Sequence, residues 1–85
     1  MSATKVIDIR NNKIEALPDE IGKLPHLTTL KLDFNMLKTL PEHLGLNSKL
    51  EILTFSKNSI KRLPEDISGW ATNLHLLHMN DNKLD

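Results

Sequence analysis

Two pairs of adjacent carboxylates, Asp19–Glu20 and Glu65–Asp66, and two histidines, His75 and His78, are the groups in this sequence most suggestive of chemistry. Paired carboxylates can divide general acid and general base work between them, and imidazoles can ligate metals. Neither arrangement completes that chemistry. Adjacent residues on a helical turn diverge, and neither acidic pair comes with a pocket-forming motif. Each pair follows a Leu-Pro step, where acidic side chains suit the positive end of a helix dipole. Alternation along a strand sends His75 and His78 to opposite sides, and with no cysteine and no third ligand a metal site is not expected. Lys61 and Arg62 form a basic doublet that reads most simply as a solvated edge.

No glycine-rich phosphate loop, G-x-S-x-G elbow, H-E-x-x-H pair or cysteine nucleophile is present. The expectation is a protein that is not an enzyme and needs no cofactor. Eleven basic and eleven acidic residues cancel across 85 positions, which argues against nucleic acid as the partner. The opening stretch lacks a secretion-signal core, and no apolar run approaches a membrane span. Together with the absence of cysteine, this suggests a cytoplasmic chain with no membrane partner.

The elements that must position these residues follow from a repeat. Asn12, Asn35 and Asn58 fall 23 residues apart, and Asn82 follows 24 residues later, the extra residue lying within GWATN. The units span residues 4–26, 27–49 and 50–73, with a partial unit at 74–85, all within one domain covering 1–85. Ile7/Ile9, Leu30/Leu32, Leu53/Phe55 and Leu77/Met79 alternate as core-facing pairs of short strands. Ile14, Leu17 and Ile21 continue the core of unit one, as do Leu37, Leu40 and Leu44 in unit two and Ile60, Leu63 and Ile67 in unit three. Trp70 stands where unit one has Leu24; Asn47 departs there, which suggests that Leu46 turns inward instead. The asparagines are expected to bridge neighbouring turns, since an amide both donates and accepts. Gly22, Gly45 and Gly69 sit where a helical turn ends, a place where glycine can adopt positive φ.

Each unit reads L-x-x-L-x-L-x-x-N-x-L-x-x-L-P-x-x-I, the pattern of leucine-rich repeats. The segments ALPDEIGKL, TLPEHLGL and RLPEDISGW resemble the LPxxI class of intracellular leucine-rich-repeat proteins. The resemblance implies an α/β solenoid, with a short parallel β-sheet on its concave side and short helical or 3₁₀ turns on its convex side. It also implies a protein partner. The family includes Ras-binding scaffolds, cell-polarity scaffolds and regulators of protein phosphatase 1, which makes a small GTPase or a phosphatase the partner class suggested.

Residues alternating with the core pairs should face the concave side. One row, Val6, Thr29, Ile52 and Leu76, is largely apolar. The next rows place Asp8 beside Lys31 and Arg10 beside Asp33, at a strand spacing of about 4.8 Å that permits lateral ion pairs. Just past the strands come Asn11, Phe34, Lys57 and Asp81. Phe34 is the sharpest candidate, because aromatics are enriched at binding hot spots; its alternative role is to lie over the neighbouring repeat. The partner-binding set is Asp8, Arg10, Thr29, Lys31, Asp33, Phe34, Thr54, Ser56, Lys57 and His78.

Repeat arrays usually need polar end caps. Thr4 replaces the first leucine of unit one, and the fourth unit stops at Asp85 before any LPxxI segment. Self-association through uncapped ends is therefore expected. A recognition segment of a larger kinase, cyclase or ubiquitin ligase, and a self-associating structural array, are the alternative readings.

Overall fold

Short alternating apolar segments form a short strand in every unit: β1 (Val6–Asp8), β2 (Thr29–Lys31), β3 (Ile52–Thr54) and β4 (Leu76–His78). A computed structural model describes residues 4–84. The strands make one parallel sheet in the order β1-β2-β3-β4, as they must when each unit returns to the same end before starting the next strand. The register follows the repeat: Val6 pairs with Thr29, Thr29 with Ile52, and Ile52 with Leu76.

Repeat-to-repeat hydrogen bonding continues past the strands. The Leu32 N–H donates to the Thr54 carbonyl at 2.7 Å, and Phe55 to His78 at 2.8 Å. In the turn that follows, Met36 donates to Ile14 (2.9 Å), Ser59 to Leu37 (2.9 Å) and Lys83 to Ile60 (3.0 Å). Asparagine joins these layers as expected. The Asn58 amide donates to the Leu32 and Phe55 carbonyls at 3.0 and 3.1 Å, while its oxygen accepts the Leu37 N–H at 3.0 Å. Asn35 and Asn82 repeat the arrangement.

The core lies behind the sheet. Leu27, Leu30, Leu32, Leu37, Leu44, Leu50, Leu53, Phe55 and Ile60 are fully buried, with Leu40 and Trp70 nearly so. Their equivalents in unit one, Ile7, Ile9, Ile14, Leu17, Ile21 and Leu24, are only half-buried, as are Leu77 and Leu84. Met79, expected in the core, is exposed because no following unit covers it among the described residues. The radius of gyration is 11.6 Å, close to the roughly 12 Å of a compact globule of this length.

On the far side, 3₁₀ turns form at Asp19–Lys23 and Glu42–Leu46. Pro18 and Pro41 stand just before them in extended conformation, and each turn is followed by a residue whose N–H bonds back into it. Unit three differs. Its helical segment is displaced to α1 (Trp70–Asn73), over the one-residue insertion, and Ile67 is left exposed rather than buried. Trp70 fills the core as expected, and its Nε1 donates to the Leu44 carbonyl at 2.8 Å.

Two further expectations are corrected. Leu46 is 49% exposed, and it is Asn47 that turns inward, at 7% exposure. The Asn47 N–H closes the preceding turn onto Leu44, which keeps position 47 in the frame of Leu24 and Trp70. Its Oδ1 accepts the Lys49 N–H, but its buried Nδ2 has no partner among the described residues. The glycines do not stop helices by positive φ, which none of them adopts. Their role is close approach between units. A Cβ on Gly45 would overlap the Asp66 carbonyl, and one on Gly69 would overlap the Leu46 carbonyl.

Candidate functional site

Across the open side of the sheet, the strand register aligns four rows of side chains. The first row is Val6, Thr29, Ile52 and Leu76, with Val6 60% exposed, Leu76 exposed, and Thr29 and Ile52 half-buried. The second places Asp8 beside Lys31, as expected, then Thr54 and His78. Arg10, Asp33, Ser56 and Asn80 follow by repeat spacing, tied by hydrogen bonds from one turn to the next.

The expected lateral ion pairs are replaced by a pair along one chain. Arg10 grips Asp8 two residues back, with Nε to Oδ1 and Nη2 to Oδ2 both at 2.8 Å. A planar guanidinium meets a carboxylate best through two parallel bonds, a geometry that a lysine in the next strand cannot offer. Arg10's side-chain hydrogen bonds hold the Asp8 carboxyl below its usual range, with Lys31 adding a smaller attraction. Asp33 turns the other way. Its Oδ2 accepts the Thr54 hydroxyl at 2.6 Å and its Oδ1 the Ser56 N–H at 2.7 Å. Thr54 is thereby buried, at 6% exposure, so it supports the face and offers no contact surface of its own. The Ser56 hydroxyl in turn accepts the Asn80 N–H at 3.1 Å.

The row just past the strands holds the feature least legible beforehand. Asn11, Phe34, Lys57 and Asp81 all have left-handed backbone, with φ between 58° and 62°. Asparagine and aspartate tolerate this region, whereas a bulky side chain is disfavoured there by roughly 1–2 kcal/mol. Phe34 is nevertheless 54% exposed, so its ring does not simply lie over the neighbouring repeat. Lys57 and Asp81 form an ion pair at 2.7 Å. Met36, two residues beyond Phe34, is 51% exposed and joins the candidate residues on the structure alone. Lys13, Ser59 and Lys83 occupy its place in the other units, and that polar company is the signal that marks the position as outward-facing.

Lys31 and His78 are on the face and form no ion pair among the described residues. His75 places its Nδ1 3.1 Å from the Asn73 carbonyl, apart from His78's row. The acidic pairs on the turn side also separate. Asp19 accepts the His43 N–H and pairs with the His43 ring, Asp66 accepts the Ser68 N–H at 2.9 Å, and Glu65 donates its own N–H to Glu42. Asp19 is held below its usual pKa chiefly by the His43 backbone N–H, and Asp66 chiefly by the Ser68 side chain. Among the described residues, no cluster of three or more candidate ligands is arranged for a metal, and no helix is long and apolar enough to cross a membrane.

The family model described as Leucine Rich Repeat matches residues 4–24, the strand, asparagine and LPxxI turn of unit one. Residues 4–24 thus match one leucine-rich repeat. The later strands and asparagines repeat that unit's register and hydrogen bonding, so the parallel sheet with helical turns behind it is a leucine-rich-repeat-like α/β fold. Leucine-rich repeats generally mediate protein–protein interaction. Comparison with curated proteins gives no match.

Proposed function

We propose that this chain is a protein-interaction module whose open sheet face takes up a partner protein. The observation that carries the reading is the state of the charges on that face. Asp8 is already paired with Arg10, and Asp33 already accepts from Thr54 and Ser56. Covering a polar group is costly when its hydrogen bonds must be found afresh. Here they are made in advance, beside an apolar row running from Val6 to Leu76 and the exposed ring of Phe34. Such a surface suits burial under another protein. It suits a phosphate backbone poorly, because the carboxylates are interleaved with the bases.

Arg10, Thr29, Lys31, Ser56, Lys57 and His78 frame the contact, with Thr54 as buried support. The module works without a cofactor and catalyses nothing itself, in a cytoplasmic setting. By the LPxxI resemblance, small GTPases and phosphatases are the partners to try first. Proteins captured by wild type are to be compared with those captured by the Lys31→Glu, Phe34→Ala double variant, with folding checked by circular dichroism. The reading expects at least one captured protein to be lost. Unchanged capture of every protein by a folded variant would reject this face.

A further inference from the structure

The four units share one backbone, yet unit two carries an anomaly that its neighbours lack. At the left-handed position and the position two residues later, the other units place Asn11 and Lys13, Lys57 and Ser59, and Asp81 and Lys83. Unit two places Phe34 and Met36, both more than half exposed. The fold does not ask for them. The same turn forms around polar residues three times, and phenylalanine is poorly suited to positive φ. Asn35, between them, is buried and supplies the structural hydrogen bonds.

The surroundings of this apolar pair are basic. Hydrogen bonds from Met36 to Ile14 and from Ser59 to Leu37 stack the turns, so Lys13 lies in the row of Met36, and Lys38 and Lys61 share the next row with Glu15. Lys13, Lys38, Lys61 and Arg62 are exposed and form no ion pair among the described residues. Five of the eleven acidic residues lie on the far turns, as Asp19, Glu20, Glu42, Glu65 and Asp66, while Asp33 beside Phe34 is taken up by Thr54 and Ser56, and Asp81 by Lys57. A chain with zero formal charge thus has a basic edge with two apolar side chains at its middle.

We propose that this edge is the principal contact of the module, and that its occupant is an acidic segment of another protein presenting an apolar residue to Phe34 and Met36. The inference rests on the protein-binding reading above and gives it a location and a partner chemistry. Apolar contact at the centre with opposite charges at the rim is the usual anatomy of a specific interface. A single-stranded nucleic acid would need stacking platforms; Phe34 stands alone here, and Met36 offers no ring. A second copy could offer acidic turns near the exposed Leu46 and Ile67. Docking edge to turn in that way is heterologous and, unless its rotation closes a ring, builds open chains.

The test is selection from a random dodecapeptide library on the 85-residue chain. Three variants serve as counterscreens: Phe34→Asn with Met36→Ser on the edge, Val6→Ser with Ile52→Thr on the sheet face, and Lys38→Glu with Lys61→Glu at the basic rim. The edge substitutions introduce residues that other units hold at the same positions, so the fold should persist, as circular dichroism will check. The expected binders carry a large apolar residue flanked by Asp or Glu. Their affinity falls about tenfold or more on the edge variant, as at a hot spot, and it also falls on the rim variant and with added salt. Binders that lose affinity only on the sheet-face variant would overturn this inference while leaving the protein-binding face intact. Binders unaffected by any variant would overturn both. Preferential binding of a dT20 oligonucleotide through the same edge, or concentration-dependent self-association abolished by the edge variant, would replace the proposed occupant.

Discussion

Units one and two are built on the same frame but differ in what covers them. Leu30, Leu32, Leu37, Leu40 and Leu44 of unit two are buried, while Ile7, Ile9, Ile14, Leu17 and Ile21 at the matching places in unit one remain half-buried. The residue types are equally apolar. A single repeat cannot bury its own apolar face, so protection comes from neighbours on both sides. Unit two has two such neighbours among the described residues. It therefore has stability in reserve, and it is the unit that places a phenylalanine in left-handed backbone.

The largest separation of the two units should come from core truncation. Leu37→Ala removes a fully buried side chain and is expected to cost about 2–5 kcal/mol. Ile14→Ala, at the matching half-buried place, should cost clearly less. Equilibrium urea unfolding of both variants checks the order; equal losses would mean that unit one is as well covered as unit two. The asparagine ladder gives the next contrast. Asn58→Ala leaves the Leu37 N–H without its acceptor in a buried layer, while the Leu32 carbonyl keeps only its bond from Asn35, for a loss of about 1–3 kcal/mol. Among the described residues Asn12 is exposed and bonds only to the Ile9 and Arg10 carbonyls of its own turn, so Asn12→Ala should cost less than about 1 kcal/mol.

A smaller effect of opposite sign is expected at Phe34. Replacement by asparagine relieves the left-handed strain, and stability should rise by about 0.5–1 kcal/mol. A melting temperature that falls instead would mark the ring as a packing element. The least effect concerns acid. The folded-state pKa values of Asp8, Asp19 and Asp66 are lowered from 3.8, so each contributes stability that is present above that value. The contribution is lost as pH falls through the folded-state values. Asp8 and Asp66 are exposed and Asp19 is only half-buried, which keeps the effect modest. Stability measured between pH 5 and pH 2 should decline less steeply in the Asp8→Asn, Asp19→Asn, Asp66→Asn triple variant.

Strand positions, sheet order and the asparagine bridges were legible in the sequence because strict spacing forces them. Ile7, Leu30, Leu53 and Leu77 cannot all face the core in any other register. Burial was less legible, since it depends on neighbours that a repeat pattern does not distinguish; hence Met79 and Ile67 are exposed. The pairing of the face charges also escaped. Residue spacing put Asp8 beside Lys31, but side-chain reach and guanidinium geometry favoured Arg10. The repeat spacing locates the glycines but not the reason for them. Their constraint is backbone from the next unit, which no local turn rule contains. Of the candidate site, Phe34 stood out by residue type, while Met36 needed comparison across the units.

The most direct test is a two-dimensional amide NMR titration of the labelled chain with the tightest selected peptide. Shifts are predicted to be largest at Lys31, Phe34, Met36 and Lys38, with the turns at Asp19–Lys23 and Glu42–Leu46 unmoved. Shifts confined to those turns, or to the half-buried outer side of unit one, would contradict the account.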